Sequence, residues 1–113
     1  MATRARIGIQ VGEEIKSVYN HFDGYPSFLG RQLQQRYGDR SSALTLIEGG
    51  DMSYIGTSTV SYYSEGGENS PAETHRNLDA YLQACRECCA QYGYLFINGV
   101  WTYYTVSRGY TDF

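Results

Sequence analysis

Residues 94–106 read Tyr94-Leu95-Phe96-Ile97-Asn98-Gly99-Val100-Trp101-Thr102-Tyr103-Tyr104-Thr105-Val106. Two runs of aromatic and β-branched side chains flank one Asn-Gly pair, and such side chains suit a pleated, half-buried surface. Asn-Gly between strands is the preferred two-residue hairpin turn, because both central positions must take positive φ. The stretch therefore predicts a β-hairpin and, with it, a sheet for the hairpin to join. Just upstream, Leu78, Tyr81, Leu82, Cys85, Cys88, Cys89 and Tyr92 recur at three- and four-residue steps, the spacing of one buried helical stripe. Gly93 is placed to end that helix. Its start is read either at the capping-box pattern Ser70-Pro71-Ala72-Glu73 or at Asn77.

Working back to the N-terminus, Ile7, Ile9 and Val11 alternate with Arg6, Gly8 and Gln10. This period-2 pattern predicts a strand with one face on a core and the other in water. Gly12-Glu13-Glu14 interrupts it, and Ile15 to Asn20 reads as the hairpin partner. His21-Phe22-Asp23-Gly24-Tyr25-Pro26 breaks the second strand, since Asp-Gly supplies turn chemistry and proline cannot donate to a ladder. From Ser27 the pattern is helical, with Leu29, Leu33 and Tyr37 on one face and Gly38 as a left-handed cap. Ser41 or Ser42 is placed to cap a second short helix carrying Leu44 and Ile47, stopped by Gly49-Gly50. Gly56 to Ser64 reads as a middle strand and Glu65 to Asn69 as a polar loop. The expectation is an α+β fold: an antiparallel sheet of about five strands, with two or three helices packed mainly on one face. With 113 residues the chain has material for one core, so residues 1–113 form one domain with a frayed tail at 107–113.

Hydrophobic and charged fractions of 42% and 19% are globular values and exclude a chain too polar to collapse. The net charge of −3 argues against broad nucleic-acid binding, which needs clustered cations. Eight of the nine basic residues are Arg and Tyr occurs 12 times, a polar surface rich in the two types that anchor interfaces and planar or phosphorylated ligands. No run approaches the roughly 20 apolar residues that span a bilayer, and Met1 to Gln10 has no apolar core of a secretory signal, which places the protein in the cytoplasm. The adjacent pairs Tyr62-Tyr63 and Tyr103-Tyr104 put one tyrosine on each face of a strand. With helices on one face only, the other is left aromatic, suited to a homodimer, a higher homo-oligomer or a ligand platform.

The 21–26 loop gathers an imidazole, a carboxylate and two aromatics at a strand end, where loops on rigid scaffolds often carry function. As a binding site, Phe22 and Tyr25 would stack on a planar group while Arg31 or Arg36 met a phosphate, with His21 and Asp23 alongside. As a catalytic site, His21 would be a general base oriented by Asp23. As structure alone, Asp23 would serve the turn and the aromatics would cover the sheet edge. His75, near the start of the long helix, reads as solvated or packing. Cys85, Cys88 and Cys89 offer only one ligand pair where structural zinc draws on two, so no metal or cofactor is expected. Cys85 and Cys89 read as reduced, buried stripe residues, leaving Cys88 as the reactive thiol if it reaches the surface. No phosphate-binding loop, nucleophile elbow or dinucleotide fingerprint occurs, which points away from the common enzymes.

The segments Arg6-Ile7-Gly8-Ile9, Ile15 to Pro26, Gly30 with Leu33, and Gly50-Asp51-Met52-Ser53 together resemble a family of small tailed-phage accessory proteins. That family carries a hairpin, an "HWDGYP" motif, a helix and a "GD-S" turn; here Phe22 stands where the motif has Trp. The resemblance covers about residues 6 to 55 and implies a phage origin rather than an activity. It implies, in turn, a non-enzymatic inhibitor of host antiviral defence, acting in the infected bacterium's cytoplasm. The expected partner is a defence protein or a small nucleotide-type signal. A small nucleotide hydrolase using His21 and Asp23, or a structural homo-oligomeric module, is the alternative.

Overall fold

Along the chain the elements are β1 (Ala5–Val11), β2 (Glu14–Asn20), a π-helical turn (Pro26–Gly30) running into α1 (Arg31–Arg36), α2 (Arg40–Glu48), β3 (Met52–Ile55), β4 (Val60–Tyr62), a single 3-10 turn (Tyr63–Gly66), β5 (Glu73–His75), α3 (Leu78–Glu87), β6 (Tyr92–Ile97), β7 (Val100–Ser107) and β8 (Tyr110–Asp112). They are taken from a computed structural model that describes residues 3–56, 60–67, 70–107 and 110–112. The Asn98-Gly99 hairpin forms as read: φ is 55° at Asn98 and 81° at Gly99, and Ile97 faces Val100 across the turn.

The fold is α+β, but the sheet is mixed rather than antiparallel and has eight strands among the described residues. The order is β4-β3-β2-β1-β6-β7-β8, with β5 sharing the outer edge of β2 with β3. β1 runs parallel to β6, and β2 parallel to β3; every other pair is antiparallel. Parallel neighbours need a long crossover, usually helical. Here α1 and α2 carry the chain from β2 to β3, while α3 carries it from β5 to β6.

These two crossovers lie on opposite faces, which corrects the expectation of helices mainly on one face. On the first face Ala5, Ile7 and Ile9 of β1 pack with Val18, Tyr94 and Phe96 beneath Leu29, Leu33, Leu46 and Ile47. On the second, Ile15, Leu95 and Val106 meet Tyr81, Leu82 and Cys85 of α3. The polar side of β1 is therefore not in water: Arg6 is only 5% exposed, and Gly8 is buried. Gly8 lets α3 approach, since a Cβ there would lie 3.1 Å from both the Tyr81 ring and Ile15. Tyr81 uses this proximity to donate its hydroxyl to the Tyr94 carbonyl, 2.5 Å away. The helix-free tyrosine face is accordingly absent from the described residues. Tyr62 packs toward α2 and donates to the Leu46 carbonyl at 2.7 Å, while Tyr103 stays exposed beside Tyr92 and Tyr94.

Local signals were read with mixed accuracy. Asp39, not Ser41 or Ser42, caps α2, its carboxylate accepting from the Ser42 amide at 2.8 Å. Asn77 caps α3 through the Ala80 amide at 2.9 Å, and the rival capping-box stretch contributes Glu73 to β5 instead. Gly38 does not take the left-handed conformation; α1 has already ended at Arg36. α3 ends at Glu87, so Cys89 leaves the buried stripe and stands exposed at φ 61°. Cys85 is buried and Cys88 half-buried. Of the expected middle strand only 60–62 is a strand, and 57–59 lie outside the described residues. In the expected tail, 110–112 pair with β7 as a short edge strand.

Candidate binding loop

Backbone hydrogen bonds fix the 21–26 loop from three directions. The His21 amide donates to the Met52 carbonyl (3.2 Å) and that of Phe22 to the Ser53 carbonyl (2.8 Å), which brings the two most specific motif segments, 21–26 and 50–53, against each other. The Gly24 amide donates to the Thr3 carbonyl at 2.9 Å, and the Gly24 carbonyl accepts from the Tyr94 hydroxyl at 2.7 Å. Only glycine fits there, because an added Cβ would sit 2.7 Å from the Thr3 carbonyl oxygen and 2.8 Å from the Ala5 side chain. From inside, the buried Asn20 donates its side-chain amide to the Phe22 carbonyl at 2.8 Å. Asp51 completes the anchor: its carboxylate accepts from the Tyr19 amide at 2.8 Å, and its burial raises its pKa above the usual carboxylate value.

On this fixed backbone the side chains divide. Phe22 is 46% exposed and Tyr25 39% exposed; Asp23, at φ 57°, is also exposed. Pro26 opens the helical turn, and Tyr25 lies 6.2 Å from the Phe28 ring. His21 is half-buried, with Nδ1 2.6 Å from the Tyr19 hydroxyl and the Phe22 ring set edge-on at 4.5 Å. Tyr19, rather than Asp23, is thus the partner of His21. Burial raises the Tyr19 pKa, although the Arg4 guanidinium beside its oxygen opposes this.

The two arginines part company. Arg31 is exposed at the start of α1. Arg36 donates to the Gly56 carbonyl and to Gln32 and lies 5.4 Å over the Tyr37 ring, so it clamps α1 to the end of β3. The loop therefore gathers His21, Phe22, Asp23 and Tyr25, while Arg36 is committed elsewhere.

A second polar cluster lies between the sheet and α3, where the alternation of β1 predicts a water-facing side; His75, expected to be solvated or packing, is packed there. Arg6 Nε donates to Ser17 Oγ at 3.0 Å, and its terminal nitrogen pairs with the exposed carboxylate of Glu73 at 3.1 Å. Ser17 Oγ lies 2.6 Å from His75 Nε2, and His75 is only 8% exposed. Ser17 Oγ thus bridges the Arg6 guanidinium and the His75 imidazole. Burial, followed by the Arg6 charge, lowers the His75 pKa below 6.5; Glu73 opposes. The signal that could have found the cluster is the small size of Gly8 and Ser17, which makes room for a covering helix.

Among the described residues no group of three or more His, Cys, Asp or Glu side chains is placed to hold a metal ion, and no helix is long and apolar enough to cross a membrane. Comparison with family models, curated proteins and solved structures gave no match.

Proposed function

We propose that this chain works by binding rather than by turnover, as a phage accessory protein that inhibits a host antiviral defence protein by laying the 21–26 loop on its surface. The observation that carries this reading is the pairing of a hydrogen-bonded loop backbone with two exposed aromatics, Phe22 and Tyr25. Aromatic anchors held rigid before contact lose little conformational entropy on binding, which is what makes such residues dominate interfaces. The phage setting, and with it the host cytoplasm, rests on the motif resemblance.

A catalytic reading has less support, because His21 spends Nδ1 on Tyr19 and Asp23 does not orient it. A phosphate-bearing ligand at this loop would rest on the exposed Arg31 alone, since Arg36 is already bonded to Gly56 and Gln32. The test is retention of a discrete host protein on the immobilised chain. The Phe22→Ser/Tyr25→Ser pair is expected to weaken that affinity by about tenfold or more, the size of losing hot-spot contacts worth over 1.4 kcal/mol, with His21→Ala weakening it less. Full affinity in the double variant, or a turnover that His21→Ala abolishes, contradicts the proposal.

A further inference from the structure

A cavity lies at the opposite end of the sheet from the loop. Because β1 and β6 run parallel, the β1–β2 turn at Gly12 and the β6–β7 turn at Asn98-Gly99 share one end, while the loop leaves β2 from the other. At the turn end, the junction between α1 and α2 crosses over the sheet like an arch. One foot is tied to β7, where the Trp101 indole donates to the Tyr37 carbonyl at 2.8 Å. The other is tied to β1, where Arg40 donates to the Gln10 carbonyl at 2.9 Å. β6 lies between β1 and β7, so the arch spans its end and leaves a space of about 600 Å³ floored by Phe96 and Ile97. A side chamber of about 190 Å³ adjoins it on the Trp101 side, sharing Gly38 and Gly99.

We propose that this arch is a small-molecule site for a neutral, planar, amide-bearing ring of the nucleobase or nucleoside class. The volume falls in the range of small-ligand pockets, roughly 300–1,000 Å³, which combine an apolar surface with a few placed polar groups. The walls at Gly12, Gly38 and Gly99 carry no side chains, and added Cβ atoms at Gly12 or Gly99 would meet nothing within 4 Å. A flat ring can therefore enter between the turns and lie against backbone. The polar lining is balanced: Arg40 supplies a cation, Asp39 an anion, Asn98 an amide and Gln10 its amide oxygen, the Gln10 nitrogen being held by the Gly12 carbonyl at 2.8 Å. Asp39 is held in place by the Ser42 amide (2.8 Å) and hydroxyl (3.0 Å), so its charge stays on the cavity wall that Arg40 also lines. An anion drawn by one is repelled by the other, whereas a ring edge with adjacent donors and acceptors satisfies both. Since the two feet brace the arch before any ligand arrives, little ordering is required on binding.

Saturation-transfer NMR on the full chain tests this with adenosine, guanosine, cytidine, uridine and their 5′-monophosphates as separate probes. The expected result is transfer to the ring protons of at least one nucleoside. Arg40→Ala should weaken that binding about tenfold or more, the scale of a lost charge-assisted hydrogen bond. Asp39→Asn, which keeps the helix cap, should improve the monophosphate relative to its nucleoside, as removal of one repelling charge requires. Should Arg40→Ala lose the folded amide spectrum, Arg40→Lys replaces it, keeping the charge but not the planar fork, with intermediate weakening expected. No transfer from any nucleoside at millimolar concentration overturns the proposal. So do binding unchanged by the Arg40 substitution and a monophosphate bound more tightly than its nucleoside by the wild-type chain.

Discussion

The chain has two histidines, and both sit 2.6 Å from a hydroxyl supplied by β2: His21 from Tyr19 and His75 from Ser17. The chemistry of the two pairs is alike, and their surroundings are opposite. His75 lies under α3, where it lines a groove of about 430 Å³ beside Glu73 and Ala84, with Arg6 and a fully buried Ser17 behind it. Ser17 itself is out of reach from that groove's surface, and its contact with His75 joins β5 to β2. His21 lies at the surface beside exposed aromatics, but its ring is fixed by Tyr19 and no carboxylate orients it. At the His75 pair the hydroxyl is fully buried, and at the His21 pair the exposed surface offers shape and aromatic area. That division favours recognition over turnover.

The comparison breaks most visibly at Ser17. Ser17→Val removes the hydroxyl that both Arg6 and His75 meet, and should cost roughly 2–6 kcal/mol, on the order of 1–3 for each buried group left unpartnered. Urea unfolding with an unchanged m-value checks it. The next effect is one of pH. His75 has its folded pKa lowered beneath the ordinary 6.5, so the unfolded chain binds the proton more readily. Its contribution to stability is whole above 6.5 and is lost as pH falls from there through the folded value. His75→Gln should flatten the acid-side decline of the melting temperature relative to wild type. Smallest of all is the loop: Phe22→Ser and Tyr25→Ser, at exposed positions outside the core, should shift stability by no more than about 0.5 kcal/mol, so any loss of binding they cause is local.

Most of the local elements were legible. The Asn98-Gly99 turn, the first hairpin and the helix led by Asn77 each announce themselves through neighbours within a few residues. The layering was not, because Arg6 and Ser17 look like a solvent face until the crossover brings α3 over them. β5 was missed for a related reason. Glu73-Thr74-His75 is three residues long with no apolar period, and it becomes a strand only through Ile15, Lys16 and Ser17, some 58 positions away in the His75–Ser17 contact. The site was half legible. Loop composition located Phe22 and Tyr25, but which arginine remains free depends on Gly56, and the partner of His21 depends on the register of β2; neither is written in the motif itself.

The central claim is that Phe22 stands at a contact made in the cell. Photocross-linking from benzoylphenylalanine placed at position 22 tests it most directly, with position 45, exposed on α2, as the control in the same bacterial cytoplasm. The account predicts a single discrete cross-linked protein from position 22 and none from position 45; no product from 22, or the same products from both, would contradict it.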